Sequence, residues 1–207
     1  MIINIDKILN AEPILEPWKH YVVDDILNYS FNNREEFMND ESLYFQLLGE
    51  INHYKHSILE KYKPIRLEKN QELEIPDAEI MTKGRIQFLH TEPNVEKEVH
   101  GDRPDKIWTC VVYCFPENND GTVLNYNDRS VAKKIEWKQN RALIFCPGVR
   151  YWNDKQNLHT LHQIVNTTNE PRSAIAINII SSDIRLKHTN KKIWYDFKNN
   201  HKSLFNL

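Results

Sequence analysis

Residues 84–115 read GRIQFLHTEPNVEKEVHGDRPDKIWTCVVYCF, and this stretch carries both a fold signal and a chemical one. At its two ends, Arg85–His90 and Lys106–Phe115 gather β-branched, aromatic and apolar residues into short runs bounded by turn residues, which predicts strands. Between them, His100-Gly101-Asp102 sets an imidazole and a carboxylate two residues apart. At an extended or turning strand end both point to one side, and the glycine lets the backbone bend between them.

The β pattern continues to residue 180. Further strands are expected at Lys97–His100, Thr122–Tyr126, Lys134–Trp137, Ala142–Cys146, Thr160–Val165 and Arg172–Ile180, about eight in all, the number of a jelly roll. Pro116–Gly121 and Pro147–Gly148 are turn chemistry, in which glycine supplies positive φ and proline ends the ladder. The fold class is therefore mainly β, a double-stranded β-helix of jelly-roll or cupin type.

Before residue 80 the pattern differs. Asp40 is placed to cap a helix running to Tyr62, because Leu47, Ile51, Tyr54 and Ile58 recur at helical spacing and form one apolar stripe. A shorter helix is expected near Asp24–Tyr29, and Lys63–Glu79, with Pro64, Pro76 and many charges, as a loop. Trp108, Cys110, Val112 and Cys114 share one face of their strand and are expected as core beneath the long helix. The expected organisation is a single domain over 1–207: a helical support region at 1–80, a jelly-roll catalytic core at 84–180 and a tail at 181–207.

A formal net charge of -2 with 27% charged residues gives no basic field to gather nucleic acid or an anionic membrane, so the expected partner is small. Asp6 interrupts the apolar run a signal peptide needs, and nowhere do about eighteen apolar residues follow one another. A cytoplasmic protein is expected. Cys110, Cys114 and Cys146 lack CxxC spacing and lie in apolar runs, where free thiols behave as small hydrophobes.

A third metal ligand for the His100/Asp102 pair must come from another strand, and the downstream candidates are His159, His162, His188 and His201. His162 lies in LHQIVN, a half-buried strand, whereas His159 has the opposite parity and is the fallback. Two histidines and a carboxylate occupy one face of an octahedral ion and leave three positions open, as non-haem Fe(II) oxygenases require, with zinc as the second choice of metal. HxD is also a common tripeptide, and a lone strand histidine is usually core, so the combination carries the weight. HxxH at His53 and His56 reads as a solvated helix face.

In these motifs the sequence resembles the 2-oxoglutarate/Fe(II)-dependent dioxygenase superfamily, particularly its prolyl-hydroxylase-like branch. His100-Gly101-Asp102 matches the proximal pair, Thr109-Cys110-Val111-Val112-Tyr113 the next strand, Gly121-Thr122-Val123-Leu124 the turn, His162 the distal ligand, and Arg172 the cation ten residues beyond it. The resemblance implies Fe(II) on His100, Asp102 and His162, which are also the catalytic residues. It implies 2-oxoglutarate held by Arg172, Tyr113, Thr109, Val111 and Leu124, with O2 as oxidant. Arg172 is expected to fork onto the far carboxylate and Tyr113 to donate to it. Where many members carry serine, Ala174 stands, and Ser173 faces the other way.

The expected reaction is oxidative decarboxylation of 2-oxoglutarate to succinate and CO2, coupled to hydroxylation of a peptidyl residue, an amino acid or a small metabolite. A cupin-type zinc or manganese enzyme and a non-catalytic jelly-roll module are the alternatives on the same ligands. Arg150, Tyr151 and Trp152 form an aromatic-basic trio that either binds substrate or packs at an edge.

Overall fold

Three side-chain caps start the helices of the N-terminal third in this computed structural model, which describes residues 1–68, 71–74, 82–102, 105–147, 149–150 and 160–181. Asn4 accepts from the Lys7 amide ahead of α1 (Ile5–Leu9), and after β1 (His20–Val23) Asn33 accepts from Glu35 and Glu36 ahead of α2 (Arg34–Met38). Asp40 accepts from Leu43 at 2.8 Å to start α3 (Glu41–Tyr62), which ends where Lys63 turns left-handed at φ 45. The buried stripe of α3 is Leu43, Leu47, Ile51, Ile58, Leu59 and Tyr62, and burial of each contributes about 1.5–3 kcal/mol. None of the described helices is long and apolar enough to cross a membrane.

Two N-terminal expectations are corrected. Asp24–Tyr29 forms no helix: Asp25 turns left-handed at φ 55, Leu27 bridges Ile3, and the Asn140 side chain binds the backbone of Leu27 in both directions. The expected loop Lys63–Glu79 contains a hairpin, β2 (Ile65–Glu68) and β3 (Gln71–Glu74), paired from Ile65↔Glu74 to Glu68↔Gln71. Its period-two alternation at Ile65, Arg66, Leu67 and Glu68 is masked in the sequence by the flanking prolines.

The remaining strands are β4 (Thr82–Thr91), β5 (Val95–Glu96), β6 (Lys106–Phe115), β7 (Thr122–Asn125), β8 (Val131–Ile135), β9 (Ala142–Phe145), β10 (Val149–Arg150), β11 (His162–Asn166) and β12 (Arg172–Ser181). One sheet has the order β1-β9-β6-β12-β4, a second has β5-β11-β7-β8, and β10-β2-β3 is a small third. The chain passes back and forth between the first two, so this is a double-stranded β-helix. The expected strand Lys97–His100 is not formed: β5 ends at Glu96 and only an isolated bridge joins His100 to His162, while the strand expected at Lys134–Trp137 moves back to β8.

The larger sheet has two faces of different character. Trp108, Cys110, Val112 and Cys114 of β6, with Ile175, Ile177 and Ile179 of β12, join the α3 stripe in one core, where Tyr62 meets Trp108 edge-on at 5.7 Å. Gly84 permits this approach, because a Cβ there would overlap the Ile51 side chain, and its amide donates to Asn52 at 2.8 Å. The opposite face turns toward the smaller sheet. There Trp18, Tyr113, Leu124, Ile135, Trp137, Leu143 and Phe145 close one end of the space between the sheets.

Candidate active site

A cavity of about 320 Å³ opens between the sheets. Strand alternation decides what it meets: β4 contributes Arg85, Gln87 and Leu89, β6 contributes Thr109 and Val111, and β12 contributes Arg172, Ala174 and Ala176. These residues lie in cross-strand rows, since Asn178 pairs with both Arg85 and Thr109, and Ala176 with both Gln87 and Val111. From the smaller sheet come Thr122, His162 and Ile164, the segment ahead of β6 adds His100 and Asp102, and Lys106 opens β6 itself.

His100 and His162 are brought together directly. Their rings lie 4.6 Å apart between centroids. His100 Nδ1 is 2.8 Å from the Glu98 carbonyl and His162 Nδ1 is 3.0 Å from the Thr160 carbonyl. A carbonyl only accepts, so each Nδ1 carries a proton, as in metal-binding histidines oriented from behind. Burial lowers the pKa of His162, Asp102 opposes that shift and His100 adds to it, so the ring is held neutral.

Asp102 is engaged differently. Its Oδ1 lies 2.5 Å from Lys106 Nζ, and its Oδ2 lies 3.3 Å from the Thr109 hydroxyl, which also reaches Asn178 Oδ1 at 3.0 Å. Among the described residues no set of three or more His, Cys, Asp or Glu side chains is gathered to hold a metal ion. Two imidazole nitrogens and a nearby carboxylate are nonetheless the right donors in kind for a divalent metal. Gly101 is not forced by packing, since a Cβ there would meet only Leu161 at 4.0 Å.

At the other end, the Arg172 Nη1 donates to the carbonyls of Asp120, Gly121 and Val165 at 2.7, 3.0 and 3.0 Å, and its guanidinium carbon sits 5.2 Å over the Trp137 ring. Nε and Nη2 have no hydrogen-bond partner among the described residues. Burial lowers the pKa of Arg172 while Tyr113 and Asp120 oppose that shift, and an arginine remains cationic throughout. Asp120 braces this end by accepting from the Thr167 amide and hydroxyl, both at 2.6 Å. Burial pushes the Asp120 carboxyl up, but Lys134 and Thr167 outweigh it and hold it at about 2. Gly121 is required by close approach rather than by positive φ, because a Cβ there would collide with the Ile135 carbonyl.

Thr109 and Val111 line the cavity, whereas Tyr113 and Leu124 do not. The Tyr113 hydroxyl donates to Thr122 Oγ1 at 2.8 Å, and its ring stacks on Trp137 at 4.5 Å. Leu124 lies directly opposite His162 but packs into the core between the sheets. Ala174 faces the cavity and Ser173 faces away, accepting from Arg34 at 2.8 Å. His53 and His56 are exposed on α3. His159, Tyr151, Trp152 and the tail from residue 182 lie outside the described residues, and of Arg150 only the backbone, in β10, is described.

Sequence reasoning missed Lys106, Arg85, Gln87, Asn178 and Thr122. Arg85 and Gln87 alternate with Ile86 and Phe88, which is the pattern of a strand with one wet face. Lys106 is turned inward by an irregularity that pairs Ile179 with Trp108 but Ile180 with Lys106, leaving Ile107 unmatched.

No protein-family model matches the chain, and neither does any curated protein. Solved structures do. The chain is similar to prolyl 4-hydroxylases. A Pseudomonas putida prolyl-4-hydroxylase matches at TM-score 0.47 and 10% identity, over 80% of this chain and 72% of that one. A prolyl 4-hydroxylase from Phytophthora capsici matches at TM-score 0.46 and 13% identity, over 80% of this chain and 59% of that one. The viral collagen prolyl hydroxylase from Paramecium Bursaria Chlorella virus-1 matches at TM-score 0.47 and 14% identity, over 79% of this chain and 96% of that one. The chain thus spans less than two thirds of the Phytophthora protein's length.

Proposed function

We propose that this chain is a non-haem Fe(II) dioxygenase that couples oxidative decarboxylation of 2-oxoglutarate by O2 to hydroxylation of a second substrate. One observation carries it: two histidines with Nδ1 tied to backbone carbonyls share a cavity with a buried arginine, two of whose donor atoms have no partner among the described residues. Arg172 touches the Val165 carbonyl, three residues along β11 from His162. At roughly 3.3 Å per residue that is about 10 Å, a span suited to a five-carbon dicarboxylate with one end at a metal and the other on the guanidinium.

His100 and His162 would hold the metal through Nε2, with the Asp102 carboxylate as third ligand once Lys106 yields it. Iron, when bound, supplies chelation of the keto-acid end of 2-oxoglutarate and activation of O2. The protein does the positioning. Arg172 Nε and Nη2 form a fork for the far carboxylate. Because Tyr113 already donates to Thr122 Oγ1, the Thr122 hydroxyl proton is left to donate into the cavity. Thr122 thus takes the part expected of Tyr113, which acts one step behind it. The apolar wall of Val111, Leu143 and Ala174 limits water around the co-substrate.

The direct test is succinate formation by purified protein supplied with Fe(II), ascorbate and 2-oxoglutarate under air. Metal-dependent succinate that disappears under anaerobic conditions is the expected result. Protein that holds Fe(II) yet neither binds nor consumes 2-oxoglutarate contradicts the proposal.

A further inference from the structure

The cavity carries more positive charge than the proposed chemistry uses. Arg85, Lys97, Lys106 and Arg172 line it, against Asp102 as the one carboxylate among the described lining residues. Arg172 is assigned to 2-oxoglutarate and Lys106 lies beside Asp102. Of the two cations left over, Lys97 is exposed and Arg85 is half-buried. The Arg85 side chain lies on the cavity wall and has no hydrogen-bond or ion-pair partner among the described residues. A guanidinium on a cavity wall without a counter-charge is a site for an oxyanion.

Register separates this charge from the co-substrate end. Arg172 pairs with Thr91 and Arg85 with Asn178. Six residues along β12 amount to roughly 20 Å between the two positions, well beyond one five-carbon dicarboxylate. Asn178 is also bonded to Thr109, which reaches Asp102, so Arg85 stands on the metal side of the cavity. Gln87 faces the same way two residues further along β4 and adds a neutral donor.

We infer that the hydroxylated substrate is a small molecule bearing a carboxylate, and that Arg85 binds this group and sets which carbon faces the metal. The inference rests on the dioxygenase reading for the assignment of Arg172. It explains why the Arg85 row is polar, with Asn178 and Thr109 beside it, whereas the Ala174 row is apolar.

The test is an NMR titration of Zn(II)-loaded protein saturated with 2-oxoglutarate, following the arginine Nε–Hε signals. The Arg85 signal is assigned by its loss in Arg85→Gln. Acetate is the minimal carboxylate probe, inorganic phosphate the competing anion and acetamide the neutral control. The expected result is a saturable shift of the Arg85 signal with acetate, at least tenfold weaker with phosphate and absent with acetamide. The Arg172 signal should respond to 2-oxoglutarate alone, and Arg85→Gln should keep 2-oxoglutarate affinity within about threefold of the parent, less than one tenfold step of 1.4 kcal/mol. An Arg85 signal that acetate leaves unmoved, or moves no more than acetamide does, overturns the inference, and preference for phosphate overturns the carboxylate assignment. Failure of 2-oxoglutarate to move the Arg172 signal brings down the dioxygenase reading instead, independently of Arg85.

Discussion

His100 and His162 meet across an isolated antiparallel bridge, each donating its backbone N–H to the other's carbonyl, at 3.0 and 2.9 Å. Backbone pairing thus fixes the separation of the two imidazoles before any metal arrives, and the carbonyls of Glu98 and Thr160 fix their tautomers. Replacing either histidine with alanine should lower Fe(II) affinity by more than the 10–100-fold typical of losing an outer-shell partner. The circular dichroism spectrum should stay unchanged, because the bridge itself is backbone. Calorimetric titration under anaerobic conditions gives the affinity, and parental affinity in His162→Ala would remove that residue from the site.

Lys106 holds the Asp102 carboxylate at 2.5 Å and therefore competes with a metal for it. Lys106→Met keeps the bulk of the side chain and removes the ammonium. Metal affinity should rise about tenfold, because a charge-assisted hydrogen bond of roughly 1.5–3 kcal/mol no longer has to be broken. Unchanged or weaker binding in this variant would show that the ion pair persists beside the bound metal.

Much of the lining of the candidate site was legible because strands have a period of two. His100, Asp102, Thr109, Val111, His162 and Arg172 all line the cavity, and each was marked by spacing within a strand or by its place in an ordered motif. Contacts between strands were not legible. That the Tyr113 hydroxyl ends on Thr122 depends on the packing of β6 against β7, and the inward turn of Lys106 depends on a register irregularity that leaves no trace in composition. The N-terminal region was read less well for a similar reason. β1 is four residues long and is stabilised by its pairing with β9, while Asp24–Tyr29 is held by the Asn140 side chain more than a hundred residues away.

His20 of β1 lies on the row of Phe145 and Thr109 and is fully buried, with Nδ1 2.8 Å from the Trp18 carbonyl and Nε2 without a partner among the described residues. Burial lowers its pKa below the ordinary 6.5, the Trp18 carbonyl opposes that shift, and Lys133 adds to it. The unfolded chain therefore takes up a proton near pH 6.5 that the folded chain refuses. The His20 contribution is intact above that pH and is lost as pH falls toward the folded value, at up to about 1.4 kcal/mol per pH unit. Urea denaturation of the metal-free protein between pH 7.5 and 5.5 should show this slope, and His20→Leu should flatten it by one proton's worth. An equal slope in the variant would assign the acid sensitivity to other groups.

The co-substrate assignment depends on Arg172 more than on any other residue, because a metal jelly roll of another kind has no use for a buried guanidinium whose Nε and Nη2 have no partner among the described residues. The decisive measurement is 2-oxoglutarate affinity of the Mn(II)-loaded protein, parent against Arg172→Ala, by anaerobic calorimetry. Removing the guanidinium leaves a buried carboxylate unpaired, a loss of roughly 2–5 kcal/mol. A fall in affinity of about 30-fold or more, with Mn(II) affinity unchanged, is the predicted result. An Arg172→Ala protein that binds 2-oxoglutarate within about threefold of the parent, inside a single tenfold step of 1.4 kcal/mol, would contradict it.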